Sequence, residues 1–406
     1  MTAYLHAWLS LGVMWLHVIA GVAWIGASFY FIWLDNHLRE PPEWKQALGI
    51  KGDLWAIHGG GFYEVAKYRL GPPQMPTELH WFKWEAYTTW LSGMALLTLV
   101  YYLGSTGYLI DPAKVVLAPW TAAAIGLGSI AAGLAIYETL LRSPLARHGA
   151  LFGIVLYLVL VAFAWGLFQV FSGRGAFIHV GAIIGTIMVG NVFLGIMPAQ
   201  RLLVRTVERG ATPGPEVARR AAEAKLRSTH NNYLTLPIIL IMISNHTPLL
   251  YSRPDGWLIL AALGFITALA RHYFNLRHRN INRPVYLIAP GLLTLALIGV
   301  LLPQVPSESG ATGQGAAARD IASDAQIRQI VATRCLSCHS AHPGNPQFQA
   351  PPAGLAFDTL AELRLHRDAV LQATVQTHYM PLGNVTQMTE AERAALGEWL
   401  RQQTPK

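Results

Sequence analysis

The chain has 406 residues, 53% of them apolar and only 13% charged. A soluble globular domain carries about a quarter charged residues, so this composition excludes an ordinary soluble enzyme and a disordered chain. The net charge of +8 is unevenly spread: residues 1–305 hold 22 basic and 13 acidic side chains, residues 323–406 hold 7 of each. The excess therefore lies in the apolar part, where loop orientation accounts for it, and no nucleic-acid surface is implied.

Apolar runs at 6–34, 82–104, 116–141, 149–171, 175–200, 231–250, 256–276 and 285–303 predict eight helices. Each approaches the 20 or so residues a bilayer requires. The first is too long for a signal-peptide core and no small-residue cleavage site follows it, so it reads as a retained helix. With the N-terminus outside, the inside loops at 35–81, 142–148, 200–230 and 277–284 carry 17 Lys and Arg. The outside loops at 105–115, 172–174 and 251–255 carry 3. The positive-inside rule then places the chain in a bacterial inner membrane, with lipid as its solvent and the segment after 303 in the periplasm.

Within the first run, Trp15-Leu16-His17-Val18 resembles Phe177-Ile178-His179-Val180 in the fifth. Gly26 and Gly190, Phe31 and Phe193, and His80 and His230 fall in matching places, which suggests a duplicated four-helix unit in parallel orientation. The long inside loop contains LWAIHGGGFYEV (54–65). It does not match a dinucleotide fingerprint, and its aromatics predict an ordered loop folded over the inner face.

Residues 304–322 (QVPSESGATGQGAAARDIA) read as a flexible linker between a membrane domain, 1–303, and a small soluble domain, 323–406. That last domain holds the chain's two cysteines, in Cys335-Leu336-Ser337-Cys338-His339. Cys-x-x-Cys-His attaches a c-type haem: the thiols bond the porphyrin and the His ligates the iron. A redox dithiol would want a βαβ setting, and a zinc site more ligands at metal spacing. A short helix at 327–333 precedes the motif, Met380-Pro381 follows it, and an amphipathic helix at 389–402 closes the segment. Met380 is the expected sixth ligand, with Met388 its competitor. The expected fold is all-α: an eight-helix transmembrane bundle with a C-terminal class I-like cytochrome c domain.

Ionisable residues at membrane depth are expensive and mark functional candidates. His17, His179 and His246 fall in the outer half, where a second haem, of b type, would use two of them; the repeat nominates His17 and His179. An inner group comprises His80, Glu85, His230, Asn231, Asn232, Arg271, His272, Asn275 and His278. Rich in amides and imidazoles around one guanidinium, it suits a polar ligand more than a metal. The plainer alternatives are that a membrane His bridges helices by a hydrogen bond and that Arg271 snorkels to the interface.

The stretches LWAIHGGGFYEVAKY (54–68), HWFKWEAYTTWLSG (80–93), HNNYLTLPIILIMISNH (230–246) and RHYFNLRHRN (271–280) resemble the bacterial membrane-bound urate oxidases. The resemblance implies an eight-span domain followed by a cytochrome c. It implies oxidation of urate to 5-hydroxyisourate with water as the oxygen source. Electrons would pass to the haem on Cys335, Cys338 and His339, then to a soluble cytochrome c or a terminal oxidase, without hydrogen peroxide. Within that chemistry Arg271 would pair with the urate carbonyl edge, and Asn231 and Asn232 with its ring amides. His80, His230 or His272 would take protons, and Glu85 would orient one of them or act as base. The alternatives are a respiratory subunit linking quinol to cytochrome c, and a transporter with a redox-sensing tail.

Overall fold

A computed structural model describes residues 3–69, 71–104, 106–112, 114–302, 322–345, 348 and 351–403. The expected linker lies, apart from Ala322, outside the described residues. The described chain is mostly helical, and all eight apolar runs fall on helices. The first is α1, Ala3–His37. A short helix α2, Glu43–Ala47, leads into strands β1, Ile50–His58, and β2, Gly61–Tyr68. Then come α3, Trp84–Leu97, α4, Pro119–Arg142, α5, Gly149–Val170, and α6, Gly173–Gly190. A π-turn at Asn191–Ile196 carries α6 on into α7, Met197–Glu208. The group ends with α8, Pro215–Ser244, the single turn α9, Pro248–Tyr251, α10, Gly256–His278, and α11, Val285–Leu301.

Five of these segments are long and apolar enough to cross a membrane: Trp8–His37, Pro119–Arg142, Gly149–Val170, Gly173–Glu208 and Gly256–His278. The other three runs are helical but shorter or mixed. The 82–104 run is α3 and the turn after it, and 285–303 is the 17-residue α11. The 231–250 run is only the second half of α8, whose first half is charged.

Helix α6 is the central element. Its small residues let neighbours approach closely, and most of its side chains are buried. Ser172 caps it, its Oγ accepting from Gly175 N at 3.0 Å and donating to Tyr108 O at 2.7 Å. Around it Phe177, Ile183 and Ile187 pack with Tyr137, Phe152 and Phe171 in one core. By contrast α1 leans on α3 and leaves Trp8, Trp15 and Val22 exposed. Apolar exposure on that scale fits a lipid-facing surface.

The loop between the first two apolar runs, expected to be ordered, contains a β-hairpin. β1 and β2 pair antiparallel with His58 opposite Gly61, so Gly59 and Gly60 form the two-residue turn. Both have positive φ, 57° and 83°, as the favoured hairpin turn requires. The hairpin is tied to the helices by Asp35 of α1, which accepts from Lys67 of β2 at 2.6 Å and Lys225 of α8 at 2.5 Å. Lys45 of α2 is buried between the carboxylates of Asp53 and Glu64.

A second, separate core gathers Ile327, Val331, Leu363, Leu396, Trp399 and Leu400. It is built by α12, Asp324–Arg334, α13, Leu360–Leu365, α14, Arg367–Val370, and α15, Glu390–Gln402. Ser323, Thr359 and Thr389 each begin a helix with a capping box. The loop after Met380 lies against the outer turn between α3 and α4. A side chain on Gly383 would strike the backbone of Gly107 and Ile110, and the Tyr379 ring sits 5.9 Å from that of Tyr251.

One polar network crosses the helices. Arg227 of α8 binds Glu138 of α4 at 2.5 and 3.0 Å and Asn191 at 3.1 Å. Asn191 in turn donates to Asn231 at 2.8 Å, and Asn231 to Met188 O at 2.9 Å. Gly195 gives the guanidinium its passage, since a Cβ there would collide with it. Replacing Arg227 by Ala would leave the buried Glu138 carboxylate with only the exposed Arg142, 3.7 Å away, and is expected to destabilise the protein by about 3 kcal/mol. Glu223→Ala, which removes a more exposed partner of the same arginine, should cost under about 1 kcal/mol. Thermal unfolding in detergent measures both.

Candidate functional site

The inner polar group divides in two across the α8–α10 pair. On the side facing α1, Arg271 of α10 is 4% exposed. Its Cζ lies 4.0 Å from the centre of the Phe29 ring of α1, and its Nε donates to Asn232 Oδ1 at 3.1 Å. Three buried atoms of this cluster have no hydrogen-bond partner: Arg271 Nη2, Asn232 Nδ2 and Asn275 Oδ1. Among the described residues no carboxylate pairs with Arg271. A buried guanidinium without a counter-ion is costly, and an unmade buried hydrogen bond costs about 1–3 kcal/mol. Chemically the cluster offers two N–H groups suited to carbonyl or anionic oxygen and one amide oxygen suited to an N–H. The snorkelling alternative does not describe Arg271, because its head is covered.

The other predicted residues of this group fall elsewhere. Asn231, one position before Asn232, is turned the other way and committed to the Arg227 network. His230 bonds Tyr137 Oη at 2.9 Å through Nδ1 and stacks on Phe152 with ring centres 4.5 Å apart. His272 bonds Tyr233 Oη at 2.7 Å. Both line an apolar cavity on the far side of α8 and α10. His80 is exposed and lies 3.7 Å from Glu85 Oε1, while Glu85 Oε2 is buried and unpartnered. This carboxylate–imidazole pair leads from the interior to the surface.

The outer histidines are dispersed. His17 Nδ1 meets Thr89 O at 2.9 Å and Ser92 Oγ at 3.1 Å, bridging α1 to α3. His179 is fully buried with both ring nitrogens engaged, Nδ1 by Gly175 O at 2.7 Å and Nε2 by Tyr102 Oη at 2.9 Å. His246 stands exposed in the turn after α8. Among the described residues no hydrogen bond or ring contact joins any two of the three. Iron ligation by His179 would require both of its bonds, or the Tyr102 bond at least, to break. In this arrangement His17 reaches α3, and His179 reaches Tyr102 in the turn that follows α3.

In the C-terminal segment, Cys335 ends α12, and the turn it begins brings His339 N to Cys335 O at 2.8 Å. His339 Nδ1–H donates to Leu355 O at 2.8 Å, which leaves Nε2 with its lone pair free for a metal. Its ring stacks on Phe357, and burial holds the imidazole below its ordinary pKa, hence neutral. Burial pushes the Cys335 thiol up to about 12, the opposite of what a reactive dithiol needs. Among the described residues no cluster of three or more His, Cys, Asp or Glu is arranged to hold a metal. These features fit a covalently attached haem: thiols that need only be alkylated, and one oriented imidazole. Met388 is 2% exposed within the core, whereas Met380 is half-buried on a loop. That loop is clamped by Arg393, whose Nη1 donates to Met380 O at 2.6 Å and Thr374 O at 2.5 Å. The core position of Met388 favours Met380 as the sixth ligand. Met380→Ala is expected to abolish the methionine–iron(III) charge-transfer band of the oxidised protein and lower its potential. Met388→Leu should retain the band.

Sequence reasoning missed Phe29, Glu138, Asn191 and Arg227. Polar residues inside apolar runs were the available signal for Glu138 and Asn191; nothing marks one phenylalanine among many. No curated protein and no solved structure matches the chain. The urate oxidase N-terminal family matches residues 3–302, which hold every helix from α1 to α11 and the whole inner polar cluster. The chain therefore belongs to the urate oxidase N-terminal family.

Proposed function

We propose that this protein is a membrane-bound urate dehydrogenase with eight spanning helices and a periplasmic cytochrome c domain. Urate and water would yield 5-hydroxyisourate, two protons and two electrons, and the electrons would return to the respiratory chain without forming hydrogen peroxide. The observation that carries the reading is the unpaired guanidinium edge of Arg271 beside the unpaired amides of Asn232 and Asn275. Urate is a planar monoanion near neutral pH whose rim alternates carbonyl oxygens with N–H groups. Arg271 Nη2 and Asn232 Nδ2 would hold a carbonyl edge, and Asn275 Oδ1 a ring N–H. Phe29 fixes the guanidinium plane from the other face.

Released protons would leave through Glu85 and His80, the pair that connects a buried oxygen to an exposed ring. Bound at Cys335, Cys338 and His339, haem c would supply a one-electron acceptor. The contact of Tyr379 with Tyr251 supports a path in which electrons would leave near the Met380 loop for a soluble cytochrome c or a terminal oxidase. The charge bias of the loops puts the hairpin and the urate site towards the cytoplasm.

Urate binding to the dithionite-reduced protein, which cannot turn over, isolates the ground-state site. Arg271→Ala is expected to weaken binding about 10- to 100-fold, the worth of a charge-assisted hydrogen bond, and to leave the haem spectrum unchanged. Asn232→Ala should weaken it less. Unaltered urate affinity in Arg271→Ala would remove this cluster from the site.

A further inference from the structure

A cavity of about 600 Å³ lies between α5, α6, α8 and α10, on the opposite side of α8 and α10 from Arg271. Its lining runs from Gly149 to Ala164 on α5, from Leu226 to Ile241 on α8, and from His272 back to Leu260 on α10. At 1.5 Å per residue that is a slot about 20 Å long. The cytoplasmic end carries Thr229, His230, Tyr233 and His272; the rest is almost wholly aliphatic and aromatic. Its lining contains no Lys, Arg, Asp or Glu. Ile154 and Phe265, two of its lining residues, are exposed on the outer faces of their helices, so the slot is reached sideways from the apolar surface.

We propose that this cavity binds a prenylquinone, its ring at the His230–His272 end and its tail along the apolar length. A quinone ring is neutral and offers two carbonyl acceptors. His230 and His272 each use Nδ1 for a tyrosine, and among the described residues neither Nε2 has a hydrogen bond, so both remain to meet such acceptors. The stack on Phe152 and the Tyr233 bond hold the two imidazoles in place. A phospholipid offers the same apolar tail, but its phosphate would want a cation that this end lacks. Consecutive residues divide the labour: Asn232 and Arg271 face the urate site, while Tyr233 and His272 face this one. The proposal is independent of the urate reading, because none of its groups is in the Arg271 cluster.

The test uses the purified full-length haem protein in detergent, titrated with decylubiquinone. Saturable binding near one equivalent per chain is expected. Gly153→Leu and Gly264→Leu add bulk at two lining positions where a Cβ meets nothing within 4 Å. Each should weaken quinone binding at least tenfold while leaving the urate affinity of the reduced protein unchanged. Three results would overturn the proposal: no saturable binding, equal affinity in both filled variants, or displacement by dodecanol as effective as by unlabelled quinone. The last would identify the cavity as an acyl-chain slot.

Discussion

A polar group among apolar helices must find a partner, and the helical part of this protein is organised by where that rule is met and where it is not. Glu138, Asn191, Arg227 and Asn231 satisfy one another across α4, α6 and α8. That network fixes the rotation of α8 about its axis. Fixing α8 sends Asn232 and Arg271 to the face covered by α1, and Tyr233 and His272 to the opposite face. At Arg271 the same rule is not met: its Nη2, Asn232 Nδ2 and Asn275 Oδ1 have no hydrogen-bond partner.

The same constraint separates histidines that look alike in sequence. His17 and His179 bond to helix partners and lock the bundle. His80, beside Glu85, remains at the surface. His339 has one nitrogen spent on orientation and the other free, the arrangement of a ligand rather than a bridge.

Much of the helical frame was legible in the sequence because apolar runs of bilayer length have few other solutions. The hairpin at 50–68 was not, because three successive glycines mark a tight turn without saying that strands flank it. Arg271 and Asn232 were legible as buried polar residues. The division between Asn231 and Asn232 was not: one residue turns the side chain by about 100° around the helix, and only the packing of α8 says which face is which. In the Cys-x-x-Cys-His segment the sequence supplies the spacing, and the structure adds the Leu355 carbonyl that orients the His339 ring. The different settings of Met380, on a loop, and Met388, in the second core, were not legible from the sequence.

The central claim is that urate oxidation and the C-terminal segment are coupled within one chain. The most direct measurement is the absorbance of the purified, oxidised protein mixed with urate in the absence of oxygen. The account predicts that the haem c bands convert to the reduced form, with two haems reduced per urate consumed. Bands that stay oxidised with urate, yet respond to dithionite, would contradict it.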